Sequence, residues 1–235
     1  MSFLIDKEMQ DRIAALIDNA SIRIISELTN HGNEEGLTAA LGSSLAQRSI
    51  ETEDLRVDFR YRQHNKITEE RHSGADGGFL VRVTTPGTTV EKVSLFQAKL
   101  LGGDGHVRDL KMPLTDAQRL NKQSKEMLKH TDEPMAIFYT WKNIYVVDAR
   151  DYSSDKSGLS RNPLSNDHRI ITLGTYLGKW LPRCTKGDVR PEIIKKAKHF
   201  DGFKHGLTME VISQRPSISW ESDRAEAAWR YKGRS

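Results

Sequence analysis

Residues 73–101, with the sequence SGADGGFLVRVTTPGTTVEKVSLFQAKLL, decide the fold. Two runs in which apolar and polar residues alternate flank Pro86 and Gly87, the strongest turn signal in the chain. Such alternation is typical of β-strands, because successive side chains of a strand point to opposite faces of the sheet. The segment therefore predicts a long antiparallel β-hairpin with its turn centred on these two residues.

The register of this hairpin gathers polar side chains at its open end. Opposing residues of an antiparallel hairpin have a constant index sum, here 86 + 87 = 173, so Gln97 is expected opposite Asp76. Lys99 shares the strand face of Gln97. A carboxylate and an amide oxygen are hard ligands of the kind that Mg²⁺ takes. A lysine beside them can orient an attacking water or balance charge that develops on phosphorus.

These three residues also have an ordinary structural interpretation. Gln97 and Lys99 can lie on a solvent-facing sheet surface, with Asp76 as a turn or salt-bridge residue, and the pattern D…QxK alone is a weak signal. The hairpin geometry favours the functional interpretation, as do the glycines around Asp76, because glycine lets a ligand or another backbone approach closely.

The rest of the chain predicts a mixture of helices and strands. Apolar residues at helical spacing predict helices near residues 3–28, 33–47, 115–129, 173–181 and 192–199. Further strands are predicted near residues 57–61, 135–141, 144–149 and 207–212. Thr115 and Gln118 form a capping-box pattern at the start of the third helix. We therefore predict one α/β domain with a central mixed β-sheet, helices on both faces and a C-terminal extension.

Composition excludes several classes of protein. No apolar run approaches the ~20 residues of a membrane-spanning helix, and the N-terminus carries acidic residues where a signal peptide would be apolar. We therefore expect a cytoplasmic protein with no membrane partner. Cys184 is the only cysteine, which excludes an intrachain disulfide and a cysteine-rich zinc site. The net charge of +4 is compatible with a polyanionic partner, but many proteins without one share it.

Two other charged segments are candidates for function. Lys195, Lys196 and Lys198 lie in the predicted helix behind Pro191 and can contact phosphates, although a solvated basic helix face is the commoner outcome. Glu70 can supply an additional metal ligand, but in the charged segment ITEERHS a solvated acid is the commoner outcome.

Three short motifs stand at the ends of predicted elements: GAD at residues 74–76 opens one strand, QAK at 97–99 closes the next, and NEE at 33–35 opens an earlier helix. Together they resemble the PD-(D/E)XK nuclease superfamily. The chain is similar to the branch in which glutamine replaces the acid before the lysine, as in Mrr-like restriction endonucleases. The resemblance implies a restriction-endonuclease-like core in residues 1–150, with residues 151–235 as an extension packed on the same domain. It also implies a Mg²⁺-dependent DNA endonuclease, with Mn²⁺ as a substitute, that acts in restriction or antiphage defence.

The resemblance assigns roles by position. Asp76 would bind the metal, Gln97 would take the place of the second acid, and Lys99 would be the catalytic lysine. Glu34 is the expected metal-binding acid of the helix because apolar residues follow it at i+3 and i+7, and Glu35 is the reserve candidate. For both glutamates the alternative is an ordinary acid in the first turn of a helix, which the helix dipole favours.

The sequence departs from the family pattern at two positions. Ala75 stands where the family has proline, and the neutral Gln97 weakens metal binding relative to an acid. The expected partners are DNA and either a second copy of the chain or a multi-protein defence complex, because one active site cuts one strand. A non-catalytic nucleic-acid-binding module and a protein-interaction subunit of such a complex are alternatives, and RNA cleavage stays open within the enzyme class.

Overall fold

The computed structural model describes residues 2–3, 5–27, 33–64, 73–102, 106–153, 162–165, 169–183, 186–199, 204–215 and 218–219. The strands are β1 (Ser2–Phe3), β2 (Ser49–Glu51), β3 (Leu55–Gln63), β4 (Gly77–Thr85), β5 (Thr88–Leu100), β6 (Pro134–Tyr139), β7 (Ile144–Asp148), β8 (Ile171–Thr172), β9 (His205–Ser213) and β10 (Ile218–Ser219). The helices are α1 (Lys7–Ser26), α2 (Glu34–Ala46), α3 (Leu114–Met127), α4 (Arg150–Ser153), α5 (Leu173–Thr175) and α6 (Pro191–His199). A 3₁₀ turn covers Val107–Asp109, and α5 continues into a π-helical turn, Tyr176–Trp180.

An eight-stranded sheet forms the centre of the structure, with the strand order β2-β3-β9-β4-β5-β6-β7-β8. The pairs β4/β9 and β5/β6 are parallel and the other pairs are antiparallel, so the sheet is mixed. Helices flank the sheet, and the predicted α/β class is confirmed. In the described ranges, no helix is both long and apolar enough to cross a lipid bilayer.

The predicted hairpin is confirmed, including its register. Strands β4 and β5 pair with Gly77 opposite Phe96, whose index sum is 77 + 96 = 173. The turn holds Gly87 at a φ of +84°, a left-handed conformation that glycine adopts without strain. Asp76, one residue before β4, is therefore level with Gln97.

The C-terminal part of the chain supplies an interior strand of the sheet. Strand β9 lies between β3 and β4, antiparallel to the first and parallel to the second. The sheet is thus not complete within residues 1–150, and the boundary predicted at residue 150 divides elements of one sheet. Glu70 lies outside the described residues.

Two apolar cores cover the two faces of the sheet. Phe96 and Ala98 of β5 point into the first core, with side chains of α1, α2 and α5. Leu95 of β5 points into the second core, with side chains of α3 and α6. Because strand side chains alternate, Gln97 and Lys99 belong to the face of the second core, and they are only 1 % and 3 % exposed. Both polar groups are therefore buried.

Two helix predictions differ from the structure. Helix α3 begins at Leu114 with Pro113 at the N-cap and no side-chain cap hydrogen bond, so the capping box predicted at Thr115 is wrong. Thr115 lies inside the first turn, where its hydroxyl does not cap the helix. The helix predicted over residues 173–181 becomes a π-helical turn after Thr175. This turn packs directly on the backbone of α1: a Cβ on Gly178 would lie 2.6 Å from a backbone nitrogen of that helix.

Candidate active site

Asp76 is held in place by backbone hydrogen bonds on both sides. Its N–H donates to the carbonyl of Phe96 at 2.9 Å. Its carbonyl accepts from the N–H groups of Lys204 at 3.2 Å and His205 at 3.0 Å. The residue therefore links β5 to β9, and the position of its Cα is fixed by the sheet rather than by a loop.

The carboxylate of Asp76 points at β5. Its Oδ2 accepts hydrogen bonds from the Nε2 of Gln97 and from the N–H of Ala98, the second at 2.8 Å. The structure thus brings Asp76 and Gln97 into direct contact, as the hairpin register requires.

The other end of the Gln97 amide is an unsatisfied acceptor. Its Oε1 is buried, and no described residue donates a hydrogen bond to it. Buried polar atoms nearly always have a partner, and leaving one unpaired costs roughly 1–3 kcal/mol. An orphaned carbonyl oxygen beside a carboxylate is an arrangement that a hard cation would satisfy.

Glu34 completes the cluster from helix α2. It is the first residue of the helix, directly after Asn33, whose side chain accepts from the N–H of Gly36 at 2.8 Å. The Oε1 of Glu34 accepts from the N–H of Leu100 at 3.0 Å, and its Oε2 lies 3.5 Å from the Nζ of Lys99. The start of α2 therefore docks on the end of β5, and its acid pairs with the buried lysine.

The two candidate helix acids have different partners. Glu34 contacts Lys99, whereas Glu35 forms an ion pair with Lys204 at 2.6 Å. The spacing that favoured Glu34 corresponds to burial, since Leu37 is fully buried beneath the same helix. Glu34 is thus the glutamate that contacts the end of β5, at Lys99 and Leu100.

A buried chain of hydrogen bonds holds the backbone carbonyl of Glu34. The hydroxyl of Thr38 donates to the carbonyl of Glu34 at 2.8 Å and pairs with the hydroxyl of Tyr139 at 2.9 Å. Burial raises the pKa of the Tyr139 phenol, and the negative charges of Asp76 and Glu34 raise it further. The phenol therefore stays neutral and can donate its proton to Thr38.

The side chains of this cluster supply oxygen atoms of the chemical type that hard divalent cations bind. In the parts of the chain that the structure describes, no group of three His, Cys, Asp or Glu side chains converges on a metal-binding position. At this site the oxygen-bearing side chains are two acids, Asp76 and Glu34, and the amide of Gln97. The oxygens of Asp76, Glu34 and Gln97 are nevertheless of the type that Mg²⁺ binds.

The lysines predicted to bind nucleic acid lie on a different element. Lys195, Lys196 and Lys198 are exposed on α6, whose buried side chains Ile193 and Ala197 rest on the second core. The Nζ of Lys198 forms an ion pair at 2.7 Å with a carboxylate of β5. Helix α6 thus presents its lysines on the sheet face to which Gln97 and Lys99 belong.

Comparisons with protein-family models, with curated proteins and with solved structures find no match for this chain.

Proposed function

We propose that this chain is a metal-dependent endonuclease that hydrolyses phosphodiester bonds in DNA, with a core of the PD-(D/E)XK type. The observation that carries the proposal is the meeting of Asp76, Gln97, Lys99 and Glu34 at one end of one hairpin, where no described residue donates a hydrogen bond to the Oε1 of Gln97. The motifs that resemble this superfamily and the side chains that meet in space are the same residues.

Asp76, Gln97 and Glu34 would hold Mg²⁺, with Mn²⁺ as a substitute. A divalent ion bound there would polarise the scissile phosphate and stabilise negative charge that develops on it. The protein's contribution is rigidity, because the backbone of Asp76 is tied to both neighbouring strands. Metal ligands that are held in fixed positions need little reorganisation during the reaction.

Lys99 would act on the attacking water or on the charge at phosphorus. Its ammonium has three donors, and the carboxylate of Glu34 at 3.5 Å engages it from one side. Because the side chain is only 3 % exposed, its charge acts in surroundings where water screens it weakly. This makes a single ammonium an effective electrostatic catalyst.

Other parts of the proposal follow from the resemblance to Mrr-like enzymes. These are DNA rather than RNA as substrate, a cytoplasmic place of action, and a role in restriction or antiphage defence. Assembly as a homo-oligomer, or as a subunit of a defence complex, would allow both strands of a duplex to be cut.

A plasmid-nicking assay with Mg²⁺ or Mn²⁺ tests the catalytic proposal. We expect the parent to nick supercoiled DNA and Lys99→Met to lose activity by about 10²-fold or more, the typical effect of removing one electrostatic donor. Lys92→Met is the matched control, because Lys92 is also buried in β5 but donates to the carbonyl of Arg183. It should keep its nicking activity. Folding of each protein is checked by circular dichroism.

The outcomes separate the possible functions. Absence of nicking by folded parent protein with either metal would refute the proposal for the isolated chain. Equal activity of Lys99→Met and the parent would place the catalysis elsewhere. If the chain is a binding module without catalysis, the parent, Asp76→Asn and Lys99→Met should bind DNA with equal affinity, and none of these three proteins should cut it.

A further inference from the structure

The sheet face opposite α1 and α2 carries cations next to the candidate site. Strand β3 alternates along its length: Val57 and Phe59 are buried in the first core. Arg60 and Arg62 point to the other face, where both are exposed. On this side the second core lies over β4 and β5, and the β3 positions are open.

These arginines line a groove, which we call the arginine groove. Its charged lining consists of the cations Arg60, Arg62, Arg82 and Lys198 and the acid Glu210. A further acid, Glu91, pairs with Arg82 at 2.6 Å and with Lys198 at 2.7 Å. Four cations and two acids give 4 − 2 = +2, so the groove attracts anions.

The ion pairs divide the cations into two kinds. Arg82 is fixed between Glu91 at 2.6 Å and Glu210 at 3.3 Å, so it shapes the floor of the groove. Arg60 lies 3.5 Å from Glu210, but its side chain is 76 % exposed. Exposed ion pairs of this kind contribute little stability and exchange partners readily. Arg60 can therefore turn to an incoming phosphate at small cost.

The strand register connects this groove to the candidate site. Arg62 is level with Gly206 of β9, which is level with Gly78 of β4. Gly78 follows Asp76 by two residues on the same strand face, so the shift along the strands is about 7 Å and the shift across them about 10 Å. Gly206 and Gly78, the positions level with Arg62 on β9 and β4, are both glycines and place no side chain on this face. A polymer backbone that follows these two positions would run from Arg62 toward Asp76.

We propose that the arginine groove binds the phosphodiester backbone of duplex nucleic acid on one side of the cutting position. The cutting position rests on the proposed function, whereas the binding does not require cleavage. No described residue that lines the groove is aromatic. Grooves for single strands combine positive charge with aromatic side chains on which bases stack. Contacts with phosphates alone carry no direct sequence information, so we expect binding without sequence preference.

The test measures binding to a labelled duplex of about 25 base pairs by fluorescence anisotropy, in EDTA so that nothing is cut, at about 50–200 mM salt. The variant is Arg60→Gln/Arg62→Gln, and the matched control is Arg12→Gln/Arg23→Gln on α1. Arg23 resembles Arg60 closely: its side chain is 68 % exposed and pairs with a glutamate at 3.7 Å. Both double variants lose the same net charge, but only one changes the groove.

A phosphate contact contributes about 0.9 to the slope of log K against log salt. Relative to binding at ~1 M salt, one such contact therefore raises the affinity about eightfold at ~0.1 M salt. We expect the groove variant to lose about 1.8 in slope and about 60-fold in affinity, and the control to stay close to the parent. Equal losses in the two variants, or no loss in the groove variant, would overturn the proposal. Tighter binding of the parent to a single strand of the same length would also overturn it.

The same proteins distinguish this inference from the proposed function. Lys99→Met should keep the parent's salt slope while losing cleavage. If the parent binds through the groove but never nicks DNA, the nuclease proposal fails and the groove stands. If the parent nicks DNA and the groove variant nicks it with an unchanged KM, the proposal for the arginine groove is refuted and the nuclease proposal is retained.

Discussion

The substitution Gln97→Glu tests the cation site without any measurement of catalysis. In the parent, the amide of Gln97 donates a hydrogen bond to the carboxylate of Asp76. A glutamate has the same shape, but when ionised it offers an acceptor where a donor is needed. Two carboxylates then meet in a buried place, since Gln97 is only 1 % exposed.

The free-energy cost of this substitution is similar whether the new carboxyl is ionised or protonated. If both groups stay ionised, two like charges ~4 Å apart repel by about 4 kcal/mol at an effective dielectric constant near 20. If the new carboxyl instead takes up a proton, it can donate to Asp76, and holding that proton at pH 7 costs about 1.36 × (7 − 4.3) ≈ 3.7 kcal/mol. We expect the free energy of unfolding to fall by about 3–4 kcal/mol and Tm by about 10 °C.

The pH dependence of this loss has a definite sign. The folded state raises the pKa of the new carboxyl above its unfolded value of about 4.3. The variant should therefore match the parent below about pH 4, and its deficit should grow as pH rises through that value toward the folded pKa. Thermal unfolding followed by circular dichroism between about pH 4 and pH 7 measures the difference.

Addition of Mg²⁺ should reverse most of the loss. A ligand at about 100 times its Kd stabilises the folded state by about 2.7 kcal/mol, and a second carboxylate should lower the Kd of this site. Gln10→Glu is the matched control, because Gln10 is also buried and its Nε2 donates to the backbone carbonyl of Ile5 at 2.9 Å. It should be destabilised without a gain from Mg²⁺. If Mg²⁺ stabilises Gln97→Glu no more than Gln10→Glu, Asp76 and Gln97 do not form a cation site.

Three further substitutions test individual contacts, and urea unfolding measures the effect of each one. Tyr139→Phe removes the phenol that pairs with Thr38 and should cost about 1 kcal/mol. Gly178→Ala places a Cβ 2.6 Å from a backbone nitrogen of α1 and should cost about 1–3 kcal/mol; an unchanged midpoint would contradict that contact. Burial raises the pKa of Asp188, but hydrogen bonds from Arg190, two N–H groups and a threonine hydroxyl outweigh it and lower the pKa to about 2. The stability from this shift, about 2 kcal/mol, is present above the usual pKa and lost as pH falls toward 2, so Asp188→Asn should destabilise at pH 7 and have little effect at pH 2.

The hairpin and its polar cluster could be predicted because they depend on neighbours in sequence. A turn signal and a period of two fix the register, and the register alone places Asp76 beside Gln97. The choice of Glu34 over Glu35 rested on the family pattern of apolar residues one and two helical turns further on, and its contact with the end of β5, far along the chain, was expected only from the resemblance. The hairpin register could be read within a window of about two dozen residues.

The position of β9 could not be predicted in this way. Its alternation identifies a strand, but the choice of neighbours depends on pairing between segments far apart in the chain. The arginine groove was missed for the same reason: Arg60, Arg82 and Lys198 come from three separate elements. Only the contiguous lysines of α6 stood out in the sequence, and they contribute one residue, Lys198, to the groove.

The late place of β9 in the chain has a consequence for how the protein is made in the cell. The carbonyl of Asp76 is anchored by the N–H groups of Lys204 and His205. While translation has not reached these residues, β3 and β4 lack the strand that joins them, and Asp76 lacks this anchor. Under the proposed nuclease function, a nascent chain would therefore lack the ordered Asp76 that cleavage needs until β9 has been synthesised and paired between β3 and β4.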